Sequence, residues 1–156
     1  MEILRANESH IRELVAQWQD FMDYHQKLDP LFQRRPDGHV NFGKFLRELL
    51  RDEEAAVFVA VEGQQVAGRC LCKVDRHPPV FVIERYGHLI EMYVTPRFQR
   101  QGIGSLLLRA AQDFFAARGI DRIELGALPQ NAIGFAFWKK QGFETYMHRM
   151  ALTRPR

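Results

Sequence analysis

The segment Tyr93-Val94-Thr95-Pro96-Arg97-Phe98-Gln99-Arg100-Gln101-Gly102-Ile103-Gly104-Ser105 holds the residues best suited to chemistry. An apolar, strand-like run enters a glycine-containing turn and leaves it directly as a helix, with no ordinary capping residue at the helix start. The first four N–H groups of such a helix lack internal acceptors, and the macrodipole makes their position electropositive. The turn is therefore suited to an anion such as a phosphate. Gly102 and Gly104 let the backbone approach that anion closely, and Arg97 and Arg100 add positive charge at the rim. A glycine turn that only reverses the chain is the plain alternative. Two familiar phosphate loops are excluded by position. No Lys-Ser or Lys-Thr follows the second glycine at P-loop spacing, and Leu107 stands where a dinucleotide fingerprint places its third glycine.

The elements that must position this turn follow from periodicity. Ile3 to Arg5 is a short apolar start. Ile11, Leu14, Val15, Trp18, Met22 and His25 then recur at helical spacing behind Asn7, a competent N-cap, and Asp29-Pro30 ends that helix. A polar loop, Gln33 to Gly38, precedes a second helix from near Asn41 with Phe42, Phe45, Leu46 and Leu49 on one face. Ala56 to Val61 and Gln65 to Val74 read as an antiparallel hairpin about Glu62-Gly63-Gln64. Val80 to Ile83 and Gly87 to Val94 are further apolar runs. Ile103, Leu106, Leu107, Ala110 and Phe114 mark a helix running to Gly119, a good residue just past a helix end. Arg122 to Ala127 reads as a strand, Asn131 to Gln141 as a helix, and Phe143 to Leu152 as a final strand.

At 156 residues, with 46% hydrophobic and 26% charged residues, the chain has the makings of one globular α+β domain spanning residues 1–156. Charged residues interrupt every apolar run, which excludes a membrane-spanning helix. The first residues lack the pattern of a secretion signal, so a cytoplasmic location is expected. The formal charge of +3, from 22 basic and 19 acidic residues, is scattered and predicts no nucleic-acid partner. Cys70 and Cys72 read as reduced core thiols, and no residues stand at metal-ligand spacing.

The string Gln99-Arg100-Gln101-Gly102-Ile103-Gly104 resembles the acetyl-CoA pyrophosphate loop of the GNAT superfamily of N-acetyltransferases: Gln or Arg, two residues, Gly, one residue, Gly or Ala. Further on, Asn131-Ala132-Ile133-Gly134-Phe135-Ala136-Phe137-Trp138-Lys139-Lys140-Gln141-Gly142-Phe143 resembles the second cofactor helix of the same superfamily. The resemblance covers Leu89 to Phe143 well and the hairpin and first helices loosely. It implies a mixed, mostly antiparallel twisted sheet of six to seven strands flanked by about four helices, with acetyl-CoA as cosubstrate and no metal. It also implies transfer of an acetyl group to a primary amine of a small molecule or peptide. By the same resemblance, Met92 and Val94 make main-chain contacts to the pantetheine arm, and the N–H groups of Arg100 to Ser105, with Gln99 beside them, bind pyrophosphate. Asn131 and Phe135 lie along the arm. Packing alone would also account for the aromatic residues of that helix.

An amine of pKa near 10.4 is only about 0.04% neutral at pH 7, so transfer needs a proton acceptor. Glu91 is the first candidate, inside the apolar run Leu89-Ile90-Glu91-Met92-Tyr93-Val94, with His88, Glu84 and Glu124 behind it. A solvated face or a pairing with an arginine is its alternative. Trp138 stands where many members carry a tyrosine held to protonate the departing thiolate, and an indole N–H cannot act as that acid. A catalytically weakened acyl-CoA-binding module is therefore the rival to the enzyme. Tyr24, His25, Asp29 and Phe32 gather where the first helix ends and are the candidate substrate residues, with packing on the helix face as the alternative for His25 and a turn-forming role as the alternative for Asp29. Met147, Met150 and Leu152 suit either a core face or pairing of two copies through the last strand.

Overall fold

A computed structural model describes residues 1–156 and divides them into two units, 1–126 and 127–156. In the first unit β1 is Glu2–Arg5, α1 Ile11–Gln26, α2 Gly38–Arg51, β2 Ala55–Glu62, β3 Gln65–Arg76, β4 Arg85–Val94, α3 Ile103–Ala116 and β5 Ile123–Glu124. The five strands form one sheet in chain order. The first three pairings are antiparallel and β4 with β5 is parallel. The mixed, mostly antiparallel sheet and the four helices agree with the sequence reading. The sheet has five strands, fewer than the six to seven expected.

Ala55 to Ala60 of β2 are buried without interruption because helices cover both faces of the sheet. On one face Leu14 and Trp18 of α1 and Phe42, Leu46 and Leu49 of α2 pack with Val57, Val59 and Leu71. On the other face Leu107, Leu108, Ala111 and Phe115 of α3 are buried, and Phe114 meets Phe58 edge to face at 6.3 Å. Gly87 is required there, because a Cβ at that position would lie 2.7 Å from the Phe115 ring.

β4 carries a bulge. Leu71 of β3 faces Glu91 and Cys72 faces Leu89, which leaves Ile90 as the extra residue. Gly87 and Leu89 belong to the α3 face, and strict alternation would send Glu91 there as well. With Ile90 inserted, Ile90 packs on the α1/α2 core and Glu91 turns to that same face.

Three expected strands are corrected. Val80 to Ile83 forms no strand; it follows Pro78-Pro79, which lack N–H donors for a ladder, and its side chains are exposed. Arg122 to Ala127 shortens to the two paired residues of β5. In the second unit α4 spans Ala132–Lys140, and Phe143 to Leu152 is not a strand, with Tyr146, Met147, Met150 and Leu152 exposed. Apolar side chains alone make no strand where the backbone has no ladder to join. The second helix also begins at Gly38, ahead of Asn41.

Candidate active site

The turn before α3 is built from backbone. Gly102, at the N-cap, has φ 81°, and Arg100 at φ 61° is the only non-glycine residue in the left-handed region. A residue held there costs about 1–3 kcal/mol, which the surroundings must offset. The braces are on either side: Gln99 Nε2 donates to the Val94 carbonyl at 3.0 Å and Gln101 Nε2 to the Arg97 carbonyl at 3.2 Å. These two side chains therefore shape the turn. No side chain caps α3, and its first intrahelical bond runs from Leu106 N–H to the Gly102 carbonyl at 3.2 Å. The N–H groups of Ile103 and Gly104 precede it. Open space surrounds Gly102, where a Cβ would meet nothing within 4 Å. A cradle of main-chain donors at the positive end of a helix fits a diphosphate.

β4 leads into this turn with one edge open. β5 pairs only with Gly87 and His88, so from Leu89 to Val94 the ladder of β4 is made with β3 alone. Thr95 N–H bonds the Ala67 carbonyl of the β3 side, whereas the Val94 carbonyl is taken by Gln99 from outside the ladder. The N–H and C=O of one strand residue point to the same edge and alternate along the strand. Met92 therefore shares the open edge with Val94.

Glu91 does not stand free. Arg69 of β3, with no exposed side-chain surface, donates Nη1 to Glu91 Oε2 at 2.9 Å. The guanidinium lies 5.6 Å from the ring centroids of Phe21 and Phe42 and 5.7 Å from that of Tyr93. Burial pushes the Glu91 carboxyl above its ordinary range and Arg69 pulls it back. Burial likewise lowers the pKa of Arg69 against the attraction of Glu91. The Tyr93 hydroxyl is raised by burial first and by the charge of Asp20 second. Among the other proton acceptors considered, Glu124 accepts from His77 Nε2 at 2.7 Å and Arg122 Nε at 2.9 Å, and Glu84 lies exposed 3.5 Å from Arg76. His88 sits 3.5 Å from Asp75, its pKa lowered by burial against the attraction of Asp75.

The end of α1 gathers three of the four candidate substrate residues. The His25 ring stacks on Phe21 at 4.0 Å and lies 5.3 Å from Tyr24 and 5.2 Å from Phe32. Phe21 continues the cluster to Tyr93 at 6.4 Å. Asp29 serves the backbone instead, since its Oδ1 accepts from Leu31 N–H at 2.9 Å and caps the short helical turn Pro30–Phe32. Arg69 and Phe21 were absent from the sequence reading. The available signal was one arginine inside the apolar run Val66-Ala67-Gly68-Arg69-Cys70-Leu71-Cys72.

In the second unit, Asn131 caps α4 by accepting Gly134 N–H at 3.0 Å. Phe135 is partly buried on that helix. The Trp138 indole meets the rings of Phe137 at 4.9 Å and Phe143 at 5.4 Å edge to face.

Residues 13–143 match the family model described as the Acetyltransferase (GNAT) family. The thialysine N-epsilon-acetyltransferase of Caenorhabditis elegans is 23% identical over 137 residues, 88% of this chain and 79% of that protein. Among solved structures, the BH1408 protein of Bacillus halodurans superposes with a TM-score of 0.88 at 19% identity, over 99% of this chain and 100% of the other. An aminoglycoside N-acetyltransferase in complex with CoA superposes with a TM-score of 0.73 at 18% identity, covering 99% of each chain. The fold, the uncapped turn and the family match agree, and the chain belongs to the acetyltransferase (GNAT) family of acetyl-CoA-dependent acyltransferases.

Proposed function

We propose that residues 1–156 act as one domain that transfers an acetyl group from acetyl-CoA directly to a primary amine of a cationic small molecule or peptide. The observation that carries this reading is the junction at Val94–Gln99, where an open strand edge runs into an uncapped, glycine-bearing helix start. When bound, acetyl-CoA supplies an activated acyl group as a thioester. The N–H groups from Arg100 to Ser105 hold the diphosphate, the open edge at Met92 and Val94 takes the arm as an added strand, and the Met92 N–H polarises the acyl oxygen. The roles of Asn131 and Phe135 as cofactor contacts rest on the resemblance of α4 alone.

Glu91 accepts the proton that the amine sheds, directly or through one water, as nitrogen bonds the acyl carbon. A thiol of pKa about 8.5 leaves without a strong acid, so Trp138 contributes at most a hydrogen bond or a wall. No cysteine offers a covalent route, since Cys70 and Cys72 are buried in the sheet. Tyr24, His25 and Phe32 present ring faces beside Phe21 and Tyr93, and with Asp20 they suit a cation with an apolar body. The names of the relatives, which specify thialysine and aminoglycosides, point the same way. Met147, Met150 and Leu152, at 64%, 93% and 95% exposed, are proposed to pair two copies.

A thiol-release assay with acetyl-CoA against aminoglycosides, polyamines, amino acids and peptide N-termini tests the reading. Turnover concentrated on cationic amines is expected. Turnover confined to neutral or acidic acceptors would remove the cationic assignment, and thiol release with no amine in the panel would remove the transfer itself.

A further inference from the structure

We infer that Arg69 is a positioning residue of the reaction, fixing the orientation and charge of the Glu91 carboxylate from beneath the sheet surface. The inference rests on Glu91 as the base of the proposed transfer. Its ground is geometric. Arg69 is wholly buried at the centre of β3, directly opposite Tyr93 and diagonal to Glu91, and the rings of Phe21, Phe42 and Tyr93 enclose it. Its Nη1 engages Glu91 Oε2, while its Nε and Nη2 are buried without partners. Glu91 Oε1 has no protein hydrogen bond, and the side chain keeps 15% exposure. One carboxylate oxygen is thus fixed from inside and the other is left to an incoming group.

This arrangement is a poor way to stabilise a fold. A guanidinium with two unpartnered nitrogens in an aromatic enclosure is destabilising, and well-packed apolar residues commonly replace buried ion pairs without loss. The rings of Phe21, Phe42 and Tyr93 around the guanidinium are an apolar lining that would suit an apolar side chain at this position. The pair makes sense as chemistry. A carboxyl turned into this apolar face by the Ile90 bulge would hold its proton and could accept none. A fixed cation at 2.9 Å opposes that effect and pulls the carboxyl back toward its ionised form. The other ionisable groups around the pair are few: Tyr93 beside Arg69 on the sheet, Asp20 of α1 acting on Tyr93, and the Cys70 thiol, while α2 contributes the Phe42 ring.

The test is the titration of Glu91 itself, by carbon NMR of the full chain labelled at glutamate carboxyls, with Glu91→Gln assigning the signal. Arg69→Met should raise the Glu91 midpoint by roughly one to three pH units. The acidic limb of kcat/KM, measured with acetyl-CoA and spermidine or another turned-over amine, should move up with it. Arg69→Lys, which keeps a cation, should restore most of both. Should Arg69→Met not fold, Arg69→Gln carries the same comparison with a neutral amide. An unmoved Glu91 midpoint in the neutral variant overturns the inference and leaves the base assignment standing. A midpoint that moves while neither Arg69→Met nor Glu91→Gln alters the acidic limb overturns the base assignment, and the positioning role with it.

Discussion

The turn from Gln99 to Ser105 and the Arg69–Glu91 pair are two solutions to holding charge, and they differ in what supplies it. The turn uses main-chain N–H groups, lies open, and spends side chains such as Gln99 and Gln101 only as braces. The pair uses side chains alone, encloses its arginine among aromatic rings, and depends on strand register to bring its members together. A backbone site tolerates changes of side-chain chemistry and fails on changes of backbone geometry. A side-chain site behaves in the opposite way, and that contrast is directly breakable.

The largest effect is expected at the turn. Gly102→Val together with Gly104→Val should weaken CoA binding by about 100-fold or more, since each charge-assisted hydrogen bond lost is worth about 1.5–3 kcal/mol. Isothermal titration with CoA reads this directly. Gln101→Ala, which removes a brace and no donor of the cradle, should cost far less. Equal losses from the two would show that side chains carry the site after all.

At the pair, Glu91→Gln is expected to lower kcat by about 100-fold or more, in the range of a positioned proton acceptor, with CoA affinity retained. Loss of CoA binding in that variant would erase the distinction between the two regions. The same carboxyl should mark stability. Burial raises its folded pKa above the unfolded value near 4.5, so between those values the folded chain holds a proton that the unfolded chain has lost. Its contribution is fully present below about pH 4.5 and declines as pH rises through the folded value. Denaturant unfolding of the parent and Glu91→Gln from pH 4 to 8 should show this decline only in the parent.

The two regions were not equally legible. Glycines, a preceding proline and the onset of helical period are local facts, so the turn, α3 and the uncapped helix start could be read from the letters between Tyr93 and Phe114. The hairpin of β2 and β3 was equally local. The pair was hidden because Arg69 and Glu91 meet only through a register that includes the Ile90 bulge, and Leu-Ile-Glu-Met-Tyr-Val carries no mark of an extra residue. Strand number failed for a related reason. Apolar runs at Val80 and Phe143 meet the composition of strands, but pairing depends on what lies alongside, which periodicity does not encode.

Asp29 gives the smallest and sharpest test, because it is a side chain selected for substrate contact that the structure employs for the backbone. Its Oδ1 satisfies Leu31 N–H ahead of Pro30, and it thereby fixes the turn that carries Phe32 against His25. Asp29→Ala should lower unfolding stability by about 0.5–2 kcal/mol, as loss of a capping acceptor does, and Asp29→Asn should recover nearly all of it. If Asp29 acts only as this cap, Asp29→Asn leaves KM for a cationic amine unchanged, because the amide accepts the same hydrogen bond without the charge. A KM that rises in Asp29→Asn while stability holds would instead make the carboxylate a substrate contact. The end of α1 would then be a side-chain site of the same kind as Arg69 and Glu91.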